Sequence, residues 1–81
     1  MVILVVEDEA VVAVVLELAL TLASHRVLGP AAAADEALRL AAADRPHLAL
    51  VDIRLRDGGD GVALARALRR QWAVPCLFLS A

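Results

Sequence analysis

Residues 2–8 read Val2-Ile3-Leu4-Val5-Val6-Glu7-Asp8, an apolar run closed by two acids. A continuous, largely β-branched run of this length predicts a strand buried on both faces, as in a parallel sheet. The same construction recurs twice. His47-Leu48-Ala49-Leu50-Val51 leads into Asp52, and Cys76-Leu77-Phe78-Leu79 leads into Ser80. If these runs lie parallel and side by side, Glu7, Asp8, Asp52 and Ser80 meet at one edge, outside the carboxyl ends of the strands. Open α/β sheets bind their ligands there, where strand order reverses.

The stretches between the runs supply the rest of the fold. A long helix is expected from about Glu9 to Ser24, its acidic start suiting a helix N-terminus. His25–Pro30 reads as a shorter, weaker strand closed by a Gly-Pro turn. Ala31–Ala34 reads as a connection, and Asp35 can cap a second helix running to about Ala43. Pro46 blocks its continuation. Asp57-Gly58-Gly59-Asp60-Gly61 is turn-rich, with Asp60 placed to cap a third helix, Val62–Trp72. In that helix Val62, Ala65, Leu68 and Trp72 share a face. Pro75 then opens the last strand. The order βαβαβαβ predicts a parallel sheet with right-handed crossovers. A length of 81 residues suits one domain, spanning 1–81.

Composition narrows the functional classes. The chain is 62% hydrophobic, yet its apolar runs are broken by charges. None approaches the roughly 18–20 apolar residues that span a bilayer. Net charge is −2, there is no lysine, and the aromatic residues are one Trp and one Phe. Direct nucleic-acid binding is therefore not expected. The single cysteine, Cys76, rules out an internal disulfide and a cysteine-built zinc site. It reads as a small buried hydrophobe, and a reducing, cytoplasmic setting fits.

Asp52 ends the most apolar central strand, where desolvating a carboxylate is costly without a partner or a task. Clustered carboxylates ionise together only with a cation among them. Mg²⁺ takes one or two carboxylates, a carbonyl, waters and phosphate oxygens. Asp8 and Asp52 can supply the carboxylates and the backbone carbonyl of Arg54 a third ligand, with Glu7 acting through water. The ion would offset the charge of Asp52 and of an incoming phosphoryl group. In-line attack by the Asp52 carboxylate on phosphorus would then give an acyl phosphate.

With these residues in register, the chain resembles the receiver domain of two-component response regulators. Ile3-Leu4-Val5-Val6-Glu7-Asp8-Glu9 resembles the family's first strand with its acidic pair. Leu48-Ala49-Leu50-Val51-Asp52-Ile53-Arg54-Leu55 resembles the acceptor strand. The segment from Asp57 to Arg69 resembles the entry to the third helix, and Val74–Ala81 the fourth strand. The resemblance implies a flavodoxin-like doubly wound sheet of order 2-1-3-4, truncated before the fifth strand. It implies Asp52 as phospho-acceptor, Ser80 as switch hydroxyl, and Mg²⁺ held through Glu7, Asp8, Asp52 and Arg54. The implied partner is a sensor histidine kinase or phosphotransfer protein that donates phosphate from a phosphohistidine. Phosphorylation would reorient Ser80 and nearby loops. The chain departs from the family pattern in having no lysine to pair with the phosphoryl group and no fourth helix, fifth strand or fifth helix. An alternative is therefore a truncated receiver fold that acts only in association, without phosphotransfer. An aspartyl phosphohydrolase usually carries a second acid two residues after the nucleophile, where this chain has Arg54.

His25 and His47 fall at strand starts, the edge opposite the acids, and read as surface residues. The first helix carries Val11, Val12, Val14, Val15, Leu16, Leu18, Leu20 and Leu22, apolar almost all round. Such a helix wants burial on every side. With the fifth helix absent, a large apolar patch is expected to stay open. A homodimer is expected, through a two-fold contact of first helices or of fourth strands.

Overall fold

The computed structural model describes residues 1–55 and 60–79. Strand β1 (Val2–Val6) is followed by α1 (Ala10–Leu22), β2 (Arg26–Ala31) and α2 (Ala34–Ala43). Then come β3 (Leu48–Asp52), α3 (Gly61–Trp72) and β4 (Cys76–Leu79). All neighbouring strands pair parallel, in the order β2-β1-β3-β4. This is the flavodoxin-like arrangement that the resemblance to receiver domains implies.

Crossover handedness assigns the helices to faces. The chain moves from β1 to β2 in one direction and then back across the sheet through β3 to β4. Right-handed crossovers therefore place α1 on one face and α2 and α3 together on the other. Accordingly, α2 packs against α3 as well as the sheet, whereas α1 packs only on β1 and β2. The main core lies on the α2–α3 side. Leu4, Val6, Ala49 and Val51 point from the sheet into it, to meet Ala37 and Ala41 of α2 and Leu64 and Leu68 of α3. The period of two along the strands puts Ile3, Val5, Leu50 and Leu77 on the other face. Leu77 there is exposed, since α1 does not reach it.

Several element boundaries differ from the expectation for local physical reasons. Helix α1 is shorter, Ala10–Leu22, because Ser24 adopts a positive φ of 69° and turns the chain into β2. Strand β2 does not stop at Gly29-Pro30. It runs to Ala31 through a cis Gly29–Pro30 peptide and a register shift opposite β1, with Gly29 at φ 95°. Asp35 is not the cap of α2. The cap lies two residues earlier, at Ala33, and the helix begins at Ala34. The Glu36 N–H, which the alanine cap cannot serve, donates to Asp35 Oδ1 at 2.9 Å, and the Glu36 carboxylate reaches back to accept from the Ala32 N–H at 3.0 Å. The buried face of α3 is Gly61, Leu64, Ala65 and Leu68, while Val62 and Trp72 are only half-buried.

Asp60 does cap α3, its carboxylate accepting from the Val62 N–H at 2.9 Å. Next to it, Gly61 is buried against the end of β3, and its N–H donates to the carbonyl of Ile53 at 2.9 Å. A methyl group at Gly61 would lie 2.0 Å from the carbonyl oxygen of Asp52 and 2.9 Å from the Ile53 Cα. Both obstacles are backbone, so the junction must move to admit it. Gly61→Ala is expected to destabilise the fold by about 1–3 kcal/mol or more, as overpacking does. Urea unfolding read by circular dichroism measures this, and an unchanged midpoint would show that the β3–α3 junction yields freely.

Candidate acidic site at the carboxyl edge of the sheet

Strands β1 and β3 are central neighbours, paired as Ile3 with Leu48 through Val6 with Val51. That register brings Asp52 level with the end of β1, where Glu7 and Asp8 follow. One carboxylate oxygen from each of Glu7, Asp8 and Asp52 lies within 4.8 Å of the others. Glu7 is buried and the two aspartates are half-buried. The three acids read from the sequence thus converge.

Backbone donors fix two of the three. Glu7 accepts from the Glu9 N–H at 3.0 Å. Asp52 accepts from the Arg54 N–H at 3.2 Å, which folds the chain back over the strand end. Arg54 also bridges to Asp60, the cap of α3, in an antiparallel pair. Ser80, Arg56 and Asp57 lie outside the described residues. The histidines sit at the opposite edge. His47 Nδ1 accepts from the Val2 N–H at 2.9 Å, and His25 lies at the start of β2.

Burial pushes the Glu7 carboxyl above its ordinary value of 4.5, and the charges of Asp52, Asp8 and Glu9 push it further. The Glu9 N–H opposes them. This is the electrostatics of a site in want of positive charge. Hard carboxylate oxygens at this spacing fit a hard divalent cation.

Glu7 and Asp52 form one wall of a cavity of about 550 Å³, lined also by Glu9, Val12, Leu16, Arg54 and Leu79. Sequence reasoning missed its apolar wall. Val12 and Leu16 signal only helical burial until α1 is placed on the face over β1 and β2.

Comparison with known proteins agrees with this geometry. The chain matches the response regulator receiver domain family over residues 3–81 and belongs to it. It is 38% identical over 80 residues to the phyllosphere-induced regulator PhyR of Methylorubrum extorquens, covering 98% of this chain and 30% of that protein. It is 37% identical over 78 residues to the transcriptional regulatory protein AfsQ1 of Streptomyces coelicolor, covering 96% of this chain and 34% of that protein. The chain thus spans about one third of the curated relatives it matches. Among solved structures it resembles the signal receiver domain of a modulated diguanylate cyclase from Desulfovibrio desulfuricans G20. There the TM-score is 0.91 at 36% identity, covering 99% of this chain and 64% of that one. The chain is a receiver domain of two-component signalling.

The raised pKa of Glu7 has a consequence for stability. The folded state holds the Glu7 proton more tightly than the unfolded chain does. Stability from this group is therefore fullest below the ordinary value of 4.5 and is lost as pH rises through the higher folded value. Glu7→Gln keeps an oxygen for the Glu9 N–H and removes the charge. It is expected to raise the urea midpoint at pH 7 in metal-free buffer and to gain little at pH 4. Equal gains at both pH values would show that the charge of Glu7 is not the cost.

Proposed function

We propose that this chain accepts a phosphoryl group on Asp52 from a phosphohistidine of a sensor kinase or phosphotransfer protein, with Mg²⁺ bound at the acidic cluster. The observation that carries this reading is the convergence of Glu7, Asp8 and Asp52 within 4.8 Å beside a cavity open to solvent. Asp8 and Asp52, with the Arg54 carbonyl, would hold the ion, and Glu7 would act through water. The ion supplies positive charge that offsets the phosphoryl oxygens and the carboxylates.

The protein's own part is to position and activate one carboxylate. The Arg54 N–H orients Asp52 Oδ1, leaving Oδ2 as the attacking atom. A bond forms from Oδ2 to phosphorus as the P–N bond of the phosphohistidine breaks, and the imidazole leaves with the electron pair. The product is an aspartyl phosphate. The Arg54 side chain, exposed on the cavity wall, is placed to meet the donor phosphate or the donor protein. Ser80, one residue past β4, is the hydroxyl that would respond to the new charge.

The second reading, a receiver fold that acts by association alone, draws support from the exposed apolar residues of α1. Incubation with acetyl phosphate and Mg²⁺, followed by intact-mass spectrometry, separates the two. One phosphate is expected on the wild type and none on Asp52→Asn. A label that persists in Asp52→Asn removes Asp52 as acceptor, and an unlabelled wild type favours the association module. Mg²⁺ titration followed by NMR gives an independent check on the ion. Asp8→Asn is expected to weaken binding more than Glu7→Gln, and resonances of Asp8, Asp52 and Arg54 that stay fixed at millimolar Mg²⁺ would exclude the site.

A further inference from the structure

Helix α1 carries its most apolar stripe on the side away from the sheet. Val11, Val15, Leu18 and Leu22 recur at i, i+4, i+7 and i+11, and Val14 lies beside them. On a helical wheel they stand opposite Ala13, the buried residue of the helix. All five are exposed, from 59% for Val14, Val15 and Leu18 to 76% for Leu22. The flank of α1 that looks toward β3 and β4 is a different one, Val12 and Leu16, which line the cavity with Asp52 and Leu79. The outer stripe is turned away from that flank.

We propose that the outer stripe of α1 is the contact between two copies of this chain, their first helices packed antiparallel across a two-fold axis. Apolar residues at this spacing form the seam by which one helix packs on another. Charge selects the partner and its direction. Helix α1 has no basic residue, so it lacks the lysines and arginines by which amphipathic helices bind anionic lipid surfaces. The acids Glu7, Asp8 and Glu9 precede its N-terminus, while His25 and Arg26 follow its C-terminus. Parallel helices would stack acid on acid. Antiparallel helices set the acidic end of each copy near the basic end of the other, and their dipoles are then also opposed favourably. Arg26 already pairs with Asp44 at the surface and remains exposed to a second acid.

The antiparallel arrangement also matches side-chain sizes. Centred between Leu16 and Glu17, it sets Val11 against Leu22 and Val15 against Leu18, short beside long. A two-fold contact uses the same patch on both copies and closes at the dimer. This proposal does not rest on phosphotransfer at Asp52.

Sedimentation equilibrium across micromolar concentrations tests the surface, and disulfide trapping tests the direction. Val15→Glu is expected to weaken association by at least about tenfold, with its circular dichroism unchanged because the side chain leaves no core. For trapping, Val11→Cys and Leu22→Cys are each made in a Cys76→Ser background. Mixed and oxidised, the two variants are expected to form a disulfide with each other, and each alone to stay largely reduced. Leu22→Cys trapped to itself would mean a parallel pair and would overturn the antiparallel arrangement. Association that survives Val15→Glu, or a wild type that stays monomeric throughout, would overturn the contact itself. If Val15→Glu fails to fold, the trapping pattern alone decides.

Discussion

The parallel, in-register pairing of Ile3–Val6 with Leu48–Val51 is the constraint on which the rest of the molecule depends. It holds two strand ends side by side, and the residues that follow them have no choice but to share a small volume. Glu7 and Asp8 come from one strand and Asp52 from the other, so no local segment contains the site. The side chains that hold this pairing in place are buried on the α2–α3 face. Leu4, Val6 and Val51 are wholly inaccessible there. A slip of one residue would send them to the opposite face and take Asp52 out of level with the end of β1.

The site is built against the interests of stability. Burial raises the Glu7 pKa, and the neighbouring acids add to the effect. Folding therefore concentrates like charge at the end of an otherwise apolar sheet. Places where a sequence contradicts its own fold are where function is found. The loop beyond Asp52 is restrained accordingly. The Arg54 N–H holds Asp52, the Arg54–Asp60 bridge closes the loop, and Gly61 packs so tightly on Asp52 that a single carbon would not fit. A carboxylate fixed by backbone contacts keeps its direction when its charge changes.

The two faces of the sheet differ in how they are filled. Small residues, Ala31, Ala37, Ala41, Ala49 and Ala65, let α2 and α3 sit close over one face. The other face has α1 over β1 and β2 only, so Leu77 of β4 stays in contact with solvent. The all-round hydrophobicity of α1 has the same origin in two parts. One flank belongs to the cavity beside the acids, and the outer stripe is covered by no element among the described residues.

Much of this was legible in the residues. The apolar runs closed by Glu7, Asp8 and Asp52 identified two of the strands, because strands buried on both faces need continuous hydrophobicity and an acid ends them. Asp60 marked the start of α3, since an aspartate placed there offers its carboxylate to the Val62 N–H. The start of α2 was not legible. Its cap is an alanine and the Glu36 N–H is served by Asp35 from within the helix, so nothing at position 33 marks the boundary. Nor could sequence show that β2 runs through Gly29-Pro30, because a Gly-Pro pair signals a turn unless neighbouring strands hold it extended. Sequence by itself determined the kind of sheet and which acids end its strands, for those follow from hydrophobic period and local chemistry. Only the tertiary structure decided that Glu7, Asp8 and Asp52 come within 4.8 Å, and which side of α1 is left bare. Both depend on register and crossover hand, which join residues more than forty positions apart and are fixed by packing across the sheet.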